Sequence, residues 1–438
     1  ARTRTKAPLY LYIAAMLCGL SVLAKGLAGL GLPLIVFLAY LGFTWNWRRL
    51  RRAQLSYGVI VSLLACAIVA VPWHHAMIIR HGWAFWNELF GDNHWRRMVL
   101  GRHGDRGSFE YFLRELGYAV WPWVALVPAA LAWAVMRRRP VAPTAAETRA
   151  QGIIWLGAIW FVSAYALVSM SMTKFHHYVL PAVPGLAICI GCFLDDLLAR
   201  GRRTGTSAVQ AGVGGAVGSR LAAVLLILGV PLLALVTVDL VSGKNAAQRF
   251  LWLFSYDYIH SPRGRPWPES LDFSRGLTVL AVLSALGTAL LVVPRARKWG
   301  AAALVAAGVF TSYFLLDHFM PAVAPFWSQK NVVAAYYRAR RSPDERLVAF
   351  QMYWRGETFY TKNEIYEGPT AERTVFDQEG VDEKLKEYMG RHRGRRLFFL
   401  MEKGQRGRVE GLLPAETRAS FRVIDDGNNK FILAQADL

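Results

Sequence analysis

Cysteine is scarce in this chain: four residues in 438, Cys18, Cys66, Cys189 and Cys192, each inside an apolar run. None is left for the polar segments, which excludes a disulfide framework. Cys189-Ile190-Gly191-Cys192 has the spacing of a redox or zinc motif. It is flanked by Ile, Leu and Phe with no further cysteine or histidine near, so it reads as two small buried thiols. Acids are also few, 30 Asp and Glu against 51 Lys and Arg. The resulting charge of +21 and pI near 10.1 would suit a nucleic-acid partner. The arginines, however, cap hydrophobic runs and form no basic face, which excludes nucleic acid. Internal repeats and mid-span ionisable residues are missing too, against a lipid or polysaccharide transporter or flippase. No Met precedes Ala1 and no cleavable signal with a small-residue exit site is visible, so a longer parent chain is expected.

Hydrophobic residues are what the chain has in excess, 54% of the total with a mean hydropathy of +0.26. That is too apolar for an ordinary soluble chain of this length. Basic clusters recur at Arg2 to Lys6, Arg48 to Arg52, Arg137 to Arg139, Arg200 to Arg203 and Arg295 to Lys298. Each successive pair brackets two apolar crossings, and the positive-inside rule puts all five in the cytoplasm. The junctions between them, which hold His, Trp, Tyr and a few acids, then face outward.

A crossing needs about 20 apolar residues to span roughly 30 Å of hydrocarbon. Pro8 to Phe43 is long enough for two and splits at Lys25-Gly26. Further crossings are expected over Leu55 to Pro72, Tyr118 to Met136, Gly152 to Met170, Tyr178 to Leu198, Leu221 to Val241, Leu277 to Val293 and Ala301 to Met320. That makes about nine spans, with the amino end inside and the carboxyl end outside. The expected fold is mostly α: a transmembrane helix bundle over residues 1–320, with an outer loop at 73–117, and a small α/β extracytoplasmic domain over 321–438. In that tail, strands are expected at Arg346 to Gln351 and Arg396 to Met401, and helices at Asn331 to Arg341 and Val381 to Met389. A hairpin should form about Asp425-Asp426-Gly427-Asn428-Asn429.

Three outer junctions carry candidate chemistry. Ser171 to Pro181 holds Lys174, His176, His177 and Tyr178 at the mouth of a helix. These side chains suit a phosphate at the membrane surface, or equally an interfacial anchor. The loop with Glu88, Asp92, Asn93, His94, Arg96, Arg97, Arg102, His103, Asp105 and Arg106 places cations on the outer side, against the positive-inside trend. An anionic ligand or lipid headgroups would hold them there. Glu88, Asp92 and His94 are conceivable ligands of a divalent metal ion, though their spacing fits no diagnostic pattern. Lys25 at the turn of an apolar hairpin is a functional candidate by position. Asp317 and His318, at the end of the last span, are ambiguous in the same way.

Several of these stretches resemble one family. Leu23-Ala24-Lys25-Gly26-Leu27 resembles the Leu-Thr-Lys-Gly turn of family 39 glycosyltransferases of the GT-C type. That family includes the protein mannosyltransferases and the lipid A aminoarabinose transferases. Lys174 to Pro181 resembles their Lys-x-x-x-Tyr-x-Leu-Pro motif, and Asn93-His94-Trp95-Arg96-Arg97 their Glu-x-His-x-x-Arg-Phe element, with Asn93 in place of the acid. Trp121-Pro122-Trp123 is similar to their Pro-Trp entry to the next span. Gln351 to Tyr360 resembles the start of the tail domain in aminoarabinose-type members.

The resemblance implies a membrane glycosyltransferase of the bacterial inner membrane. Its donor is a polyprenyl-phosphate-linked sugar, and its acceptor a lipid such as lipid A, a glycan or a protein on the outer face. A carboxylate base would deprotonate the acceptor and cations would hold the departing lipid phosphate. Lys174, Tyr178, His177, His94, Arg96, Arg97 and Lys25 are the residues it assigns to that phosphate. The family's acidic pair in the first outer loop has no counterpart here, so the base is expected upstream of Ala1, with Asp92 and Asp105 as fallbacks. A non-catalytic membrane scaffold that presents the tail is the other alternative. It would have no need of the basic outer loop.

Overall fold

The computed structural model describes residues 7–44, 54–100, 110–136, 145–200, 214–244, 247–255, 267–268, 270–352, 355–367, 372–376 and 380–438. The chain is mostly helical. It divides into two compact units, residues 1–236 with 281–308, and residues 237–280 with 309–438. Among the described residues six helices are long and apolar enough to cross a membrane: Gly58–Arg96, Thr148–Met170, His176–Ala199, Arg220–Val241, Ser274–Val292 and Arg297–Trp327. Tyr111–Ala119 and Trp123–Met136 form a further candidate, bent by 111° at the break. The expected hairpin supplies two shorter apolar helices, Ala7–Lys25 and Ala28–Thr44, split where the sequence placed the turn.

Two stretches differ from expectation. Residues 73–96, expected as loop, continue the helix Gln54–Trp86 and then wind as a π-helix over Asn87–Arg96. His, Trp and Arg lower the hydropathy there, but they do not interrupt helical backbone bonding, and within Gln54–Trp86 only Gly82 (φ +60°) breaks the helical dihedrals. The last span also runs past the expected boundary at 320, to Trp327. Pro321 does not end it, because the chain enters from a π-helical stretch, Phe314–Phe319, and proline sits at the start of the following α-helical segment.

In the first unit the helices Ala145–Met170 and Val183–Arg200 approach backbone to backbone. A Cβ added at Gly185 would lie 2.5 Å from the Phe161 nitrogen and 2.7 Å from the Gly157 carbonyl oxygen. Small residues permit this contact, which in lipid supplies the packing that hydrophobicity cannot. Cys189 and Cys192 pack beside it with Ala134 and Ile154. At the far end of this pair the Arg297 guanidinium donates to the carbonyls of Leu197 (3.1 Å) and Leu291 (3.2 Å). A cation there satisfies open helix C-terminal carbonyls, and it places the 295–298 cluster beside Arg200. The side chains of the other basic clusters lie outside the described residues.

The second unit carries a five-stranded sheet, in the order Val375–Phe376, Leu347–Phe350, Arg396–Glu402, Phe431–Asp437, Arg422–Asp425. The first three strands are parallel, and the last two join antiparallel. Alternation sorts the strand residues onto two faces. Val348, Phe350, Phe399 and Met401 meet Leu385, Tyr388 and Met389 of the helix Val381–Arg391. Leu347, Ala349, Phe398 and Leu400 meet Val332, Val333 and Tyr336 of the helix Lys330–Ala339. Each fully buried Leu or Phe contributes about 1.5–3 kcal/mol.

The hairpin at 425–430 does more than turn the chain. Asn428, 2% exposed, accepts the Lys430 and Phe431 amides at 2.9 and 3.0 Å and donates to the Ser328 carbonyl at 2.9 Å. The Asn429 amide donates to the Phe326 carbonyl at 2.7 Å, so the turn caps the C-terminal end of the last span. Asn428→Ala should therefore cost about 2 kcal/mol, since three bonds are lost and buried groups are left open. Thermal unfolding of the full chain in detergent would measure it. A change under about 0.5 kcal/mol would show that the turn is not holding the span.

Candidate functional site

The tight helix pair fixes the segment between its members. Residues 171–175 connect the two helices, and a 3₁₀ turn, His176–Ala182, opens the second. Lys174 is buried at 7% exposure. Its ammonium donates to the Ser169 carbonyl at 2.6 Å and lies 5.0 Å from the centre of the Phe112 ring. One carbonyl at a helix C-terminus and one aromatic face satisfy a cation only in part. Among the described residues no carboxylate pairs with it, and burial pushes its pKa down from the usual lysine range.

Tyr178 and His177 follow on the turn, half-buried and in ring contact at 4.9 Å, with Phe175 packed on both. Phe112 belongs to the helix Tyr111–Ala119, which packs on this turn and also carries Arg114, whose Nε donates to the Tyr118 hydroxyl at 2.6 Å. Sequence reading passed over that helix. Its signal was the apolar spacing of Phe112 and Leu116 with Arg114 and Tyr118 four residues apart.

The helix that carries Asn93 to Arg97 comes to the same end. The Met172 amide donates to the Met98 carbonyl at 2.9 Å, which ties residue 98 to the Lys174 segment. His94 joins this helix to the Lys25-Gly26 turn. Its Nε2 accepts the Leu27 amide at 3.0 Å, and its Nδ1 donates to the Leu89 carbonyl. An imidazole that accepts a backbone N–H at one nitrogen is neutral, with its proton on the other. Gly26 lies against the ring in the left-handed region, φ +63°. A Cβ there would sit 2.4 Å from the His94 Cε1.

The candidates thus separate. Lys174, Tyr178, His177, His94 and the Lys25 turn are gathered at one end of the first unit by continuous contacts. Lys25 and Arg96 are exposed, and Arg96 is paired with Asp92 at 2.7 Å, in contact with neither Lys174 nor Tyr178. Asp92, a fallback base, is therefore engaged by a guanidinium. The metal suggestion at Glu88 and His94 is not what the geometry offers, because both His94 nitrogens are bonded and Glu88 is exposed. No cluster of three or more His, Cys, Asp or Glu suited to a metal occurs among the described residues. The Arg97 side chain and residues 101–109, with Arg102, His103, Asp105 and Arg106, lie outside the described residues. Asp317 and His318 fall in the π-helical stretch of the other unit, where His318 packs on Phe273 and Phe314.

Against known proteins the chain finds a consistent neighbourhood. It is 30% identical over 237 residues to the undecaprenyl phosphate-α-4-amino-4-deoxy-L-arabinose arabinosyl transferase of Pseudomonas aeruginosa (strain LESB58), which covers 54% of this chain and 37% of that protein. The corresponding transferase 1 of Pseudomonas fluorescens is 31% identical over 186 residues, 42% of this chain and 31% of the relative. By sequence, its relatives are aminoarabinose transferases. In three dimensions the chain superimposes on ArnT from Cupriavidus metallidurans bound to undecaprenyl phosphate with a TM-score of 0.60 at 18% identity, over 97% of this chain and 68% of that one. The apo state of the same protein gives 0.57 at 21% identity. At that identity the likeness shows the fold, a helix bundle with a small sheet at its carboxyl end. No family model matches the chain. The chain spans about a third of the length of the curated relatives it matches.

Proposed function

We propose that this chain forms the phosphate-holding part of a membrane glycosyltransferase that moves a sugar from a polyprenyl-phosphate donor to an acceptor on the extracytoplasmic face. The observation that carries the reading is Lys174: a buried ammonium with no acidic partner among the described residues, at the end of the bundle where the polar junctions meet. A buried cation without a counter-ion costs several kcal/mol, and an anionic ligand offsets that cost. The donor's phosphate is such a ligand, and it gains negative charge as the sugar leaves, so a fixed cation favours the transition state over the ground state. Tyr178 and His177 on the adjoining turn add hydroxyl and imidazole donors. The P. aeruginosa and P. fluorescens relatives are named for an undecaprenyl-phosphate-linked amino sugar, and an amino-pentose donor with lipid A as acceptor is the specific form the reading takes.

The binding half is tested on the chain itself. In nanodiscs, undecaprenyl phosphate should raise the unfolding temperature, and phosphatidylglycerol at equal surface charge should not. Equal shifts would reduce the site to a headgroup contact and remove the reading.

The same reading fixes sidedness: Lys174 to Tyr178 and the sheet of the second unit face away from the cytoplasm, in the inner membrane of a bacterium. Single cysteines placed at exposed positions such as Phe359 should react with an impermeant maleimide added to intact spheroplasts. A cysteine beside Arg297 should react only after lysis. Labelling of the Arg297 end in intact cells would invert the topology and place the proposed site on the wrong side for an outer-face acceptor.

A further inference from the structure

The segment Gln351 to Tyr360 is conspicuous in sequence, yet the lipid-phosphate site does not use it. In the second unit its described residues, 351–352 and 355–360, lie among buried polar groups that are incompletely bonded. The backbone enters it through left-handed dihedrals at Gln351 (φ 49°) and Arg355 (φ 64°), neither a glycine, and such strain persists only where the surroundings hold it. Gly356 follows, and a Cβ there would lie 2.4 Å from the Gln329 Oε1, so the turn and the carboxamide are in direct contact. Glu357 is 1% exposed and Gln329 3% exposed.

The polar groups around them are satisfied. Thr361 Oγ1 donates to the Glu357 backbone carbonyl at 2.6 Å, Ser328 Oγ meets the Tyr360 hydroxyl at 3.0 Å, and Asn428 holds the Ser328 carbonyl. At Glu357, Gln329 and Thr358 themselves the valences are open. Glu357 Oε1 accepts the Arg355 amide at 3.1 Å, but its Oε2 has no partner, nor has either amide atom of Gln329 or the Thr358 hydroxyl. No Lys, Arg or His among the described residues forms an ion pair with Glu357.

We infer that Gln329, Glu357 and Thr358 form a binding site for a hard cation of the calcium type. A buried carboxylate without a counter-charge costs several kcal/mol. A water molecule would satisfy hydrogen bonds there but not the charge. The free acceptors are a carboxylate oxygen, a carboxamide oxygen and a hydroxyl, the oxygen set that calcium takes. Nitrogen and sulfur ligands, which zinc prefers, are absent from the set. Magnesium fits less well, because it holds its own waters and demands a near-ideal octahedron. With a single carboxylate the site is a weak one, of the millimolar class found in extracellular modules, and the Gln329 Nε2 is left to donate to a water in the ion's shell.

The test uses the full chain in detergent, stripped with chelator. Millimolar CaCl2 should raise its unfolding midpoint by about 2–4 °C, with MgCl2 giving a smaller rise. Glu357→Gln keeps the shape and removes the charge, so the calcium response should vanish. Gln329→Glu adds a second carboxylate to the same site and should reach its half-maximal response at a calcium concentration lower by about tenfold or more. It serves as the reporter if Glu357→Gln does not fold. No rise in the wild-type chain, or the same rise in Glu357→Gln, would show that these groups are met by water only and overturn the site. An unchanged calcium response in Gln329→Glu would do so as well.

Discussion

Lys174→Met should leave the chain folded and remove its affinity for undecaprenyl phosphate. In a sugar-transfer assay it should slow turnover a hundredfold or more. Methionine keeps an unbranched apolar stem beside Phe112 and removes the ammonium, so the variant separates charge from packing. The charge is expensive where it sits: Lys174 is 7% exposed, with one carbonyl and one ring as partners. Stability should therefore hold or rise on its removal, as when buried ions give way to apolar groups. Catalysis should not survive, because a single charged hydrogen bond to a developing anion is worth about 2.7–4 kcal/mol. The competing reading makes Lys174 a cap on the helix Ala145–Met170. On that reading Lys174→Met should lower the unfolding temperature and leave the lipid phosphate bound. Thermal unfolding and lipid-phosphate titration of one variant distinguish the two.

The pH dependence has a definite sign. Burial lowers the folded pKa of Lys174 below its unfolded value, so between the two the unfolded chain binds more protons. Its contribution to stability therefore rises with pH across that window. Binding of a phosphate needs the ammonium and should decline over the same alkaline range, at lower pH than an exposed lysine would allow. Stability and affinity moving in opposite directions is a signature that an interfacial anchor would not give.

Hydropathy made the apolar helices legible, and period-two and helical spacing did the same for the tail. Strands expected at Arg346 to Gln351 and Arg396 to Met401 occur at Leu347–Phe350 and Arg396–Glu402, because their apolar residues face helices on both sides and leave no ambiguity of period. Residues 73–96 were not legible as helix. Hydropathy measures affinity for lipid, whereas a helix with Trp83, Trp86 and Phe90 among Glu88, Asp92 and Arg96 can lie at the interface and remain helical. Nor was the burial of Lys174. A lysine between Thr and Phe looks like an interfacial snorkel in sequence, and only the packing of the helix Tyr111–Ala119 on the turn encloses it. Contacts such as Met172 to Met98 and His94 to Leu27 join elements 67 or more residues apart, and local pattern does not register them.

The second large effect is expected at Gly26, where two such distant elements touch. Gly26→Ala brings a Cβ to 2.4 Å from His94 Cε1 and 2.6 Å from Nε2, at a φ of +63°. Left-handed backbone at a non-glycine residue costs about 1–3 kcal/mol, and forcing a ring out of a packed position costs about 1–3 kcal/mol more. Moving the ring also breaks the 3.0 Å bond from the Leu27 amide. The steric part depends on the imidazole and the backbone part does not, which a double-mutant cycle resolves. In a His94→Ala background Gly26→Ala should cost only the backbone part, so the two changes should couple by about 1–3 kcal/mol. His94→Gln is the conservative control. Its carboxamide can accept the Leu27 amide and donate to the Leu89 carbonyl as the neutral imidazole does, so it should retain more lipid-phosphate affinity than His94→Ala. Strict additivity of Gly26→Ala and His94→Ala would mean that ring and turn are not in contact. Lys25 would then have no fixed relation to Lys174, and the proposed phosphate site would not include the Lys25 turn.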